Sequence, residues 1–358
     1  MDASAEILFE RRGTAGLVTL NRPQALNAVT LGMVRALTSQ LNEWRSDPSV
    51  TRVVLTAAGG RAFSAGGDIR ALYDAGTAGR HDEMLAFYGE EYVLNTMIKS
   101  YPKPYVALID GIVMGGGVGL SVHGSHRVAG DRYSFAMPEV SIGFFPDVGA
   151  TWFLPRLPGE LGAYCALTGA RLNAADGVAA TIASLHVPSP RFADLTEALC
   201  GAAPVEATLS AFAAPAGERK VAALRPAIDR LFKGETVGRI LGALDAEASG
   251  SGADAEFARV TAAAIRTKSP TSLKLALAQM RAGAKLSFEA CMATEFRIVS
   301  RVIHGHDFYE GVRAVIVDKD NAPRWRPPVL TEVTDAEIAR HFAPLPGGEW
   351  TMPKLDRT

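Results

Sequence analysis

The sequence predicts an α/β protein, with a core of strands and helices over residues 1–205 and a mainly helical region over 206–358. Three observations carry that expectation. Short apolar runs alternate with stretches of helical spacing through the first half, the pattern of βαβ units. After about residue 205 the strand signals stop, and Ala-rich helical stretches run to about 305. Glycine is abundant, at 35 of 358 residues, so tight turns and close backbone approaches are expected.

Each element has a local cause. EILFERR and GLVTLN read as two short strands turning at Gly13, and Asn21-Arg22-Pro23 breaks the second. From Thr30 the spacing becomes helical: Met33, Leu37, Leu41 and Trp44 recur at three- and four-residue steps until Pro48. Val53, Val54 and Leu55 form a strand ending at Gly59-Gly60. A helix is expected over 81–99, and YVALI at 105–109 reads as a buried strand cut off by Gly111. Residues 114–124 are glycine-rich and open a helix; 133–136 is a short strand and 159–168 a helix. The later helices break near 249–252 and at Ser269-Pro270, and a last short helix follows Thr334.

Composition excludes several function classes. Lys and Arg total 37 and Asp and Glu 38, a net charge of -1. Nucleic-acid binding and polybasic membrane contact both need a basic face that this balance does not supply. No run of about 18 apolar residues is present to span a bilayer. The start, MDASAEILFERRG, lacks the basic and then apolar regions of a secretory signal. Cys165, Cys200 and Cys291 are odd in number and far apart, which fits reduced thiols in a cytoplasmic protein better than disulfides or a zinc site.

Four segments could carry chemistry. Ala65-Gly66-Gly67-Asp68-Ile69 pairs glycines with an acidic residue, which suits either exposed N–H donors or a plain turn with Asp68 as N-cap. Gly115-Gly116-Gly117 follows the YVALI strand and offers free N–H groups where a helix begins. It matches neither GxGxxG, since Leu120 and Val122 stand at the final glycine, nor a P-loop. Glu139 in Met-Pro-Glu and Asp147 in Phe-Pro-Asp each sit in an apolar, Pro- and Gly-rich setting that would raise a carboxyl pKa. Taken singly, each also reads as an exposed turn carboxylate. His123 spoils a GxSxG elbow and, with His126 but no third ligand, reads as a packing or hydrogen-bonding histidine.

In order, NRPQALNAV, AFSAGGDIR, PYVALIDGIVMGGGVGL and MPEVSIGFFPDVG resemble the crotonase, or enoyl-CoA hydratase/isomerase, superfamily. HGSHRVAGDRYSFAMPEVSIGFFPDVGATWFLPRLPG and DFYEGVRAVIVDKDNAPRWRPP are most similar to its 3-hydroxyisobutyryl-CoA hydrolase branch, of valine degradation. The resemblance runs from about residue 6 to about residue 342. It implies a crotonase-like spiral of ββα repeats. It also implies an oxyanion hole made by the N–H groups of Gly67 and Gly116, with the backbone of Gly67, Asp68 and Ile69 lining the adenine pocket of CoA. A hydratase keeps a glutamate three residues after the central glycine; this sequence has Gly119 there. The second hydratase glutamate is matched by Glu139, the hydrolase branch adds Asp147, and Glu91 matches an acidic position of that branch's substrate pocket. The implied activity is thioester hydrolysis of 3-hydroxyisobutyryl-CoA, with Glu139 as nucleophile or as general base. The alternatives are hydration or isomerisation of an enoyl-CoA, and non-catalytic acyl-CoA binding. No metal or cofactor is implied, CoA being part of the substrate. The implied partners are a small-molecule acyl-CoA and further copies of the chain, as a trimer or hexamer.

Overall fold

The computed structural model describes residues 5–351. β1 (Ile7–Arg12) and β2 (Ala15–Leu20) form the expected antiparallel hairpin. Gly13 turns it at φ +56°, where an added Cβ would lie 2.1 Å from the Cys200 carbonyl oxygen. β3 (Arg52–Ala57), β4 (Ala62–Ser64), β5 (Tyr105–Ile109), β6 (Ile112–Met114), β7 (His126–Ala129), β8 (Ser134–Ala136) and β9 (Leu185–His186) follow. They divide between two sheets. One has six strands in the order β1-β2-β3-β5-β7-β9, parallel after the hairpin; the other is the parallel trio β4-β6-β8.

This division is the spiral. In β3–β4, β5–β6 and β7–β8 the first strand joins the large sheet and the second the small one. A helix carries the chain back to the next pair. α1 (Leu31–Ser46) precedes β3, with the Thr30 hydroxyl accepting from the Met33 N–H and Met33, Leu37, Leu41 and Trp44 turned inward. α2 (Ile69–Thr77) and α3 (His81–Lys99) join the first pair to the second, and the single-turn α4 (Gly116–Gly119) lies between the second and third.

Strand β5 shows how the sheet is covered. Tyr105, Ala107 and Ile109 face the main core, while Val106 and Leu108 face a second core with Leu195, Leu199 and Leu209. Both faces are buried, as expected for a parallel sheet. The helices Phe192–Cys200 and Val205–Phe212 form that second cover, so the expected boundary at 205/206 falls within one packed layer. The helices from Arg225 onward pack elsewhere. Phe288–Val302 lies against α3, and His306–Val312 against the 3-10 turn Glu139–Ile142. Among the described residues no helix is long and apolar enough to cross a membrane.

Candidate active site

Two glycine turns at the ends of β4 and β6 build the first part of the site. After β4 the chain turns at Gly66, φ +113°, a region that disfavours a side chain. The Val29 N–H donates to the Gly66 oxygen at 2.8 Å and the Asp68 N–H to the Val29 oxygen at 2.9 Å, which fixes the segment. The Gly67 N–H finds no acceptor among the described residues. After β6, Gly115 redirects the chain at φ +44°, and Gly116 opens α4, where a helix leaves its first N–H groups unpaired. A Cβ on Gly116 would stand 3.2 Å from the Gly67 nitrogen and 2.5 Å from Glu91 Oε1. The two backbone donors and Glu91 therefore share one small space that only bare backbone leaves open.

Three carboxyl groups face this space. Glu139 begins the 3-10 turn behind Pro138, 6% exposed, with Oε2 unpaired. Glu91, on α3, is 2% exposed with Oε1 unpaired. Asp147 is 4% exposed and accepts a hydrogen bond from the Tyr92 hydroxyl at 2.9 Å. Burial pushes all three above the ordinary carboxylate range, and the charge of Asp147 adds to the rise at Glu91 and Glu139. They line a cavity of about 260 Å³ whose other walls are mainly apolar, among them Phe87, Met114, Phe144 and Ile142. Poorly solvated carboxyl groups with raised pKa are suited to taking up protons or attacking an electrophile near neutral pH.

The loop that presents Asp147 is held from four directions. Val148 has φ +51°, a strained region for a β-branched residue, and Gly149 follows at +88°. His123 Nε2–H donates to the Val148 oxygen at 2.7 Å, and burial lowers its pKa to about 4, so the ring stays neutral. Glu295, fully buried, accepts from the Gly149 N–H at 2.8 Å and the Thr151 N–H at 2.9 Å. Gln279 Nε2–H reaches the Pro146 oxygen at 2.5 Å, and Tyr92 holds Asp147 itself. His123 is thus a hydrogen-bonding histidine, as expected from the lack of a third ligand near it in sequence.

Gly119 lies beside this loop. A Cβ there would be 2.8 Å from Asn95 Nδ2 and 2.8 Å from the Val148 Cβ. The space that a carboxylate at 119 would need is filled by Asn95 and by the strained turn of Val148.

Of the residues expected from sequence, Gly67, Ile69, Glu91, Gly116, Glu139 and Asp147 line the one cavity. Asp68 stands apart in its side chain, which caps α2 by accepting from the Ala71 N–H and pairs with Arg22 at 3.1 Å. Both readings of that segment thus apply, the turn cap to Asp68 and the free donor to Gly67. Sequence reasoning missed Tyr88, Tyr92, Asn95, Glu295, Val315 and Ile316. Tyr88, Glu91, Tyr92 and Asn95 follow one another on one face of α3, all buried. Glu295 interrupts the apolar stripe of Met292, Ile298 and Val299 on its helix, and a carboxyl on a buried stripe was the available signal. Val315 and Ile316, on the π-helical turn Arg313–Val317, close the cavity from the helical half and carried no such signal.

Residues 15–342 match the family model described as enoyl-CoA hydratase/isomerase. The chain is 45% identical over 352 residues to the mitochondrial 3-hydroxyisobutyryl-CoA hydrolase of Rattus norvegicus, covering 96% of this chain and 90% of that one. The human protein of the same name is 42% identical over 354 residues, with the same coverage. Among solved structures, a carnitinyl-CoA dehydratase from Mycobacterium thermoresistibile aligns at a TM-score of 0.92 and 42% identity, over 98% of this chain and 100% of its own. An enoyl-CoA hydratase from Rhodobacter sphaeroides aligns at 0.89 and 38%, over 97% and 100%. The spiral expected from the sequence is the fold of these neighbours.

Proposed function

The chain belongs to the enoyl-CoA hydratase/isomerase family, and on that premise we propose that it hydrolyses 3-hydroxyisobutyryl-CoA to 3-hydroxyisobutyrate and CoA, a step of valine degradation. One observation carries the choice of hydrolysis: Glu139 keeps an unpaired carboxyl oxygen in the cavity, while the position of a second hydratase carboxylate, Gly119, is filled by Asn95 and Val148.

The chemistry follows from the placement. The thioester oxygen lies between the N–H groups of Gly67 and Gly116, where each prearranged donor aimed at developing negative charge is worth roughly 3–4 kcal/mol. Burial makes Glu139 a stronger base than an exposed carboxylate. By one route Glu139 attacks the carbonyl carbon, the tetrahedral adduct expels CoA as thiolate, and water cleaves the mixed anhydride. By the other, Glu139 takes a proton from a water molecule as that water attacks. Both routes consume one water and end with the C–S bond broken, the acyl group released as a carboxylate, Glu139 regenerated and the thiolate protonated. Asp147, held by Tyr92, bonds the 3-hydroxyl, orients Glu139 or relays its proton. The thioester is already an activated acyl group, so the reading includes no metal or redox cofactor.

The names of the two solved neighbours favour a second reading, hydration or dehydration of a short acyl-CoA. A free-thiol assay separates the two. Release of CoA thiol from 3-hydroxyisobutyryl-CoA, with crotonyl-CoA left unhydrated, supports hydrolysis; the opposite pattern refutes it. A reducing compartment suits the three free, buried cysteines, and both the cytoplasm and the mitochondria of the named relatives provide one. Assembly as a trimer or hexamer remains part of the proposal, read by light scattering.

A further inference from the structure

The cavity holds more polar chemistry than a plain acyl thioester would use, and one of its side chains is a buried hydroxyl donor without a partner. Of its lining side chains only Tyr88 and Ser141 carry hydroxyl groups. Ser141 is partly exposed, so water can satisfy its hydroxyl. Tyr88 is 2% exposed, and its hydroxyl has no partner among the described residues. A buried hydroxyl without a partner is costly and so points to a partner outside the protein.

The ring that carries it is fixed. Tyr88 stacks on Phe144 at 5.4 Å between centroids and 20° between planes, and meets Phe87 edge-on at 5.4 Å and 81°. A phenol oxygen lies in the plane of its ring, so fixing the ring fixes the donor. Tyr88 stands one helical turn before Glu91 on α3 and lines the same cavity as Glu91, Glu139 and Asp147.

An aliphatic hydroxyl needs partners of both kinds, because it donates one hydrogen and accepts at two lone pairs. An ionised carboxylate only accepts. Glu91 or Asp147, once ionised, takes the hydrogen of such a hydroxyl and can no longer donate to its oxygen, the two backbone N–H groups are committed to the thioester oxygen, and the Tyr88 hydroxyl keeps its proton whether or not those carboxyl groups have lost theirs. We infer that Tyr88 is a specificity-determining residue that donates to the hydroxyl oxygen of a hydroxylated acyl group while a neighbouring carboxylate accepts from it. This rests on the reading of the site as an acyl-CoA hydrolase and adds the donor that selects a hydroxyacyl over a plain acyl chain.

The experiment compares wild type and Tyr88→Phe on 3-hydroxyisobutyryl-CoA and isobutyryl-CoA, which differ only by that hydroxyl. Tyr88→Phe keeps the ring, its stacking and the fold. Wild type should prefer the hydroxy ester. The variant should lose roughly 10–100-fold in kcat/KM on the hydroxy ester, as for one hydrogen bond to a buried polar group, with isobutyryl-CoA hydrolysis unchanged or faster. Equal losses on both esters would make Tyr88 a structural residue and overturn the inference, as would no loss on either. Failure of wild type to cleave the hydroxy ester would instead overturn the hydrolase reading itself, together with the inference built on it.

Discussion

Replacing Glu295 with alanine should weaken both the fold and the reaction, although Glu295 does not line the cavity. Its two carboxyl oxygens accept from the Gly149 and Thr151 N–H groups, at 2.8 and 2.9 Å, in a fully buried site. The alanine variant leaves both donors buried and unpaired, at about 1–3 kcal/mol each, so stability should fall by about 2–6 kcal/mol. The same two bonds oppose the strain of Val148 at φ +51°, which is of order 1–3 kcal/mol. Released from them, the turn relaxes and Asp147 shifts. Displacement of a catalytic group by about 1 Å can cost up to 100-fold in rate. Urea unfolding measures the first effect and thiol release from 3-hydroxyisobutyryl-CoA the second. Glu295→Gln, which keeps one acceptor oxygen, should fall between wild type and alanine in both. An alanine variant within 1 kcal/mol of wild type and equally active would refute the claim that Glu295 positions the Asp147 loop.

Two further predictions concern Gly119 and the buried carboxyl groups. Gly119→Glu should not create a hydratase, because its Cβ already meets Asn95 and Val148 at 2.8 Å; overpacking should cost about 1–3 kcal/mol or more, read by urea unfolding, and measurable hydration of crotonyl-CoA by the variant would contradict this. Stability should fall between pH 6.5 and 8. Burial holds Glu91, Glu139 and Asp147 above their ordinary range and Glu295 up to about 8, so the folded chain keeps protons that the unfolded chain has already released, and stability drops as pH rises through the folded values. His123 works in the opposite direction but at lower pH: its folded value is about 4, so its contribution is lost as pH falls below its unfolded value near 6.5. A urea midpoint that rises steadily from pH 6.5 to 8 would count against the buried carboxyl cluster.

How much of this was legible in the sequence follows from how local each cause is. The hairpin at Gly13, helix α1 with its Thr30 cap and the YVALI strand depend on neighbours a few residues away, and the structure has them where the pattern predicts. Strands β4 and β6 are three residues long, too short for periodicity to mark, although they carry the glycine turns of the site. The split of strand pairs between two sheets is a property of the whole chain, and only the resemblance of several linked motifs conveyed it. Within the site, Gly67, Gly116, Glu139 and Asp147 lie in compact motifs and could be named in advance. Tyr92, Gln279 and Glu295 reach the Asp147 loop from helices 55, 133 and 146 residues away in sequence, so only tertiary packing identifies them. Asp68 shows the opposite limit: its motif was recognised, but whether the side chain caps a helix or faces a ligand is decided by Arg22 and the Ala71 N–H.

In the proposed reaction Glu139, beside the Gly67 and Gly116 donors, breaks the thioester. The most direct test of this role is the rate of CoA thiol release from 3-hydroxyisobutyryl-CoA by wild type and Glu139→Gln, with binding of the ester measured on the same variant. Turnover should fall roughly 100- to 10,000-fold in the variant, with binding retained. Turnover near that of wild type in Glu139→Gln would contradict it.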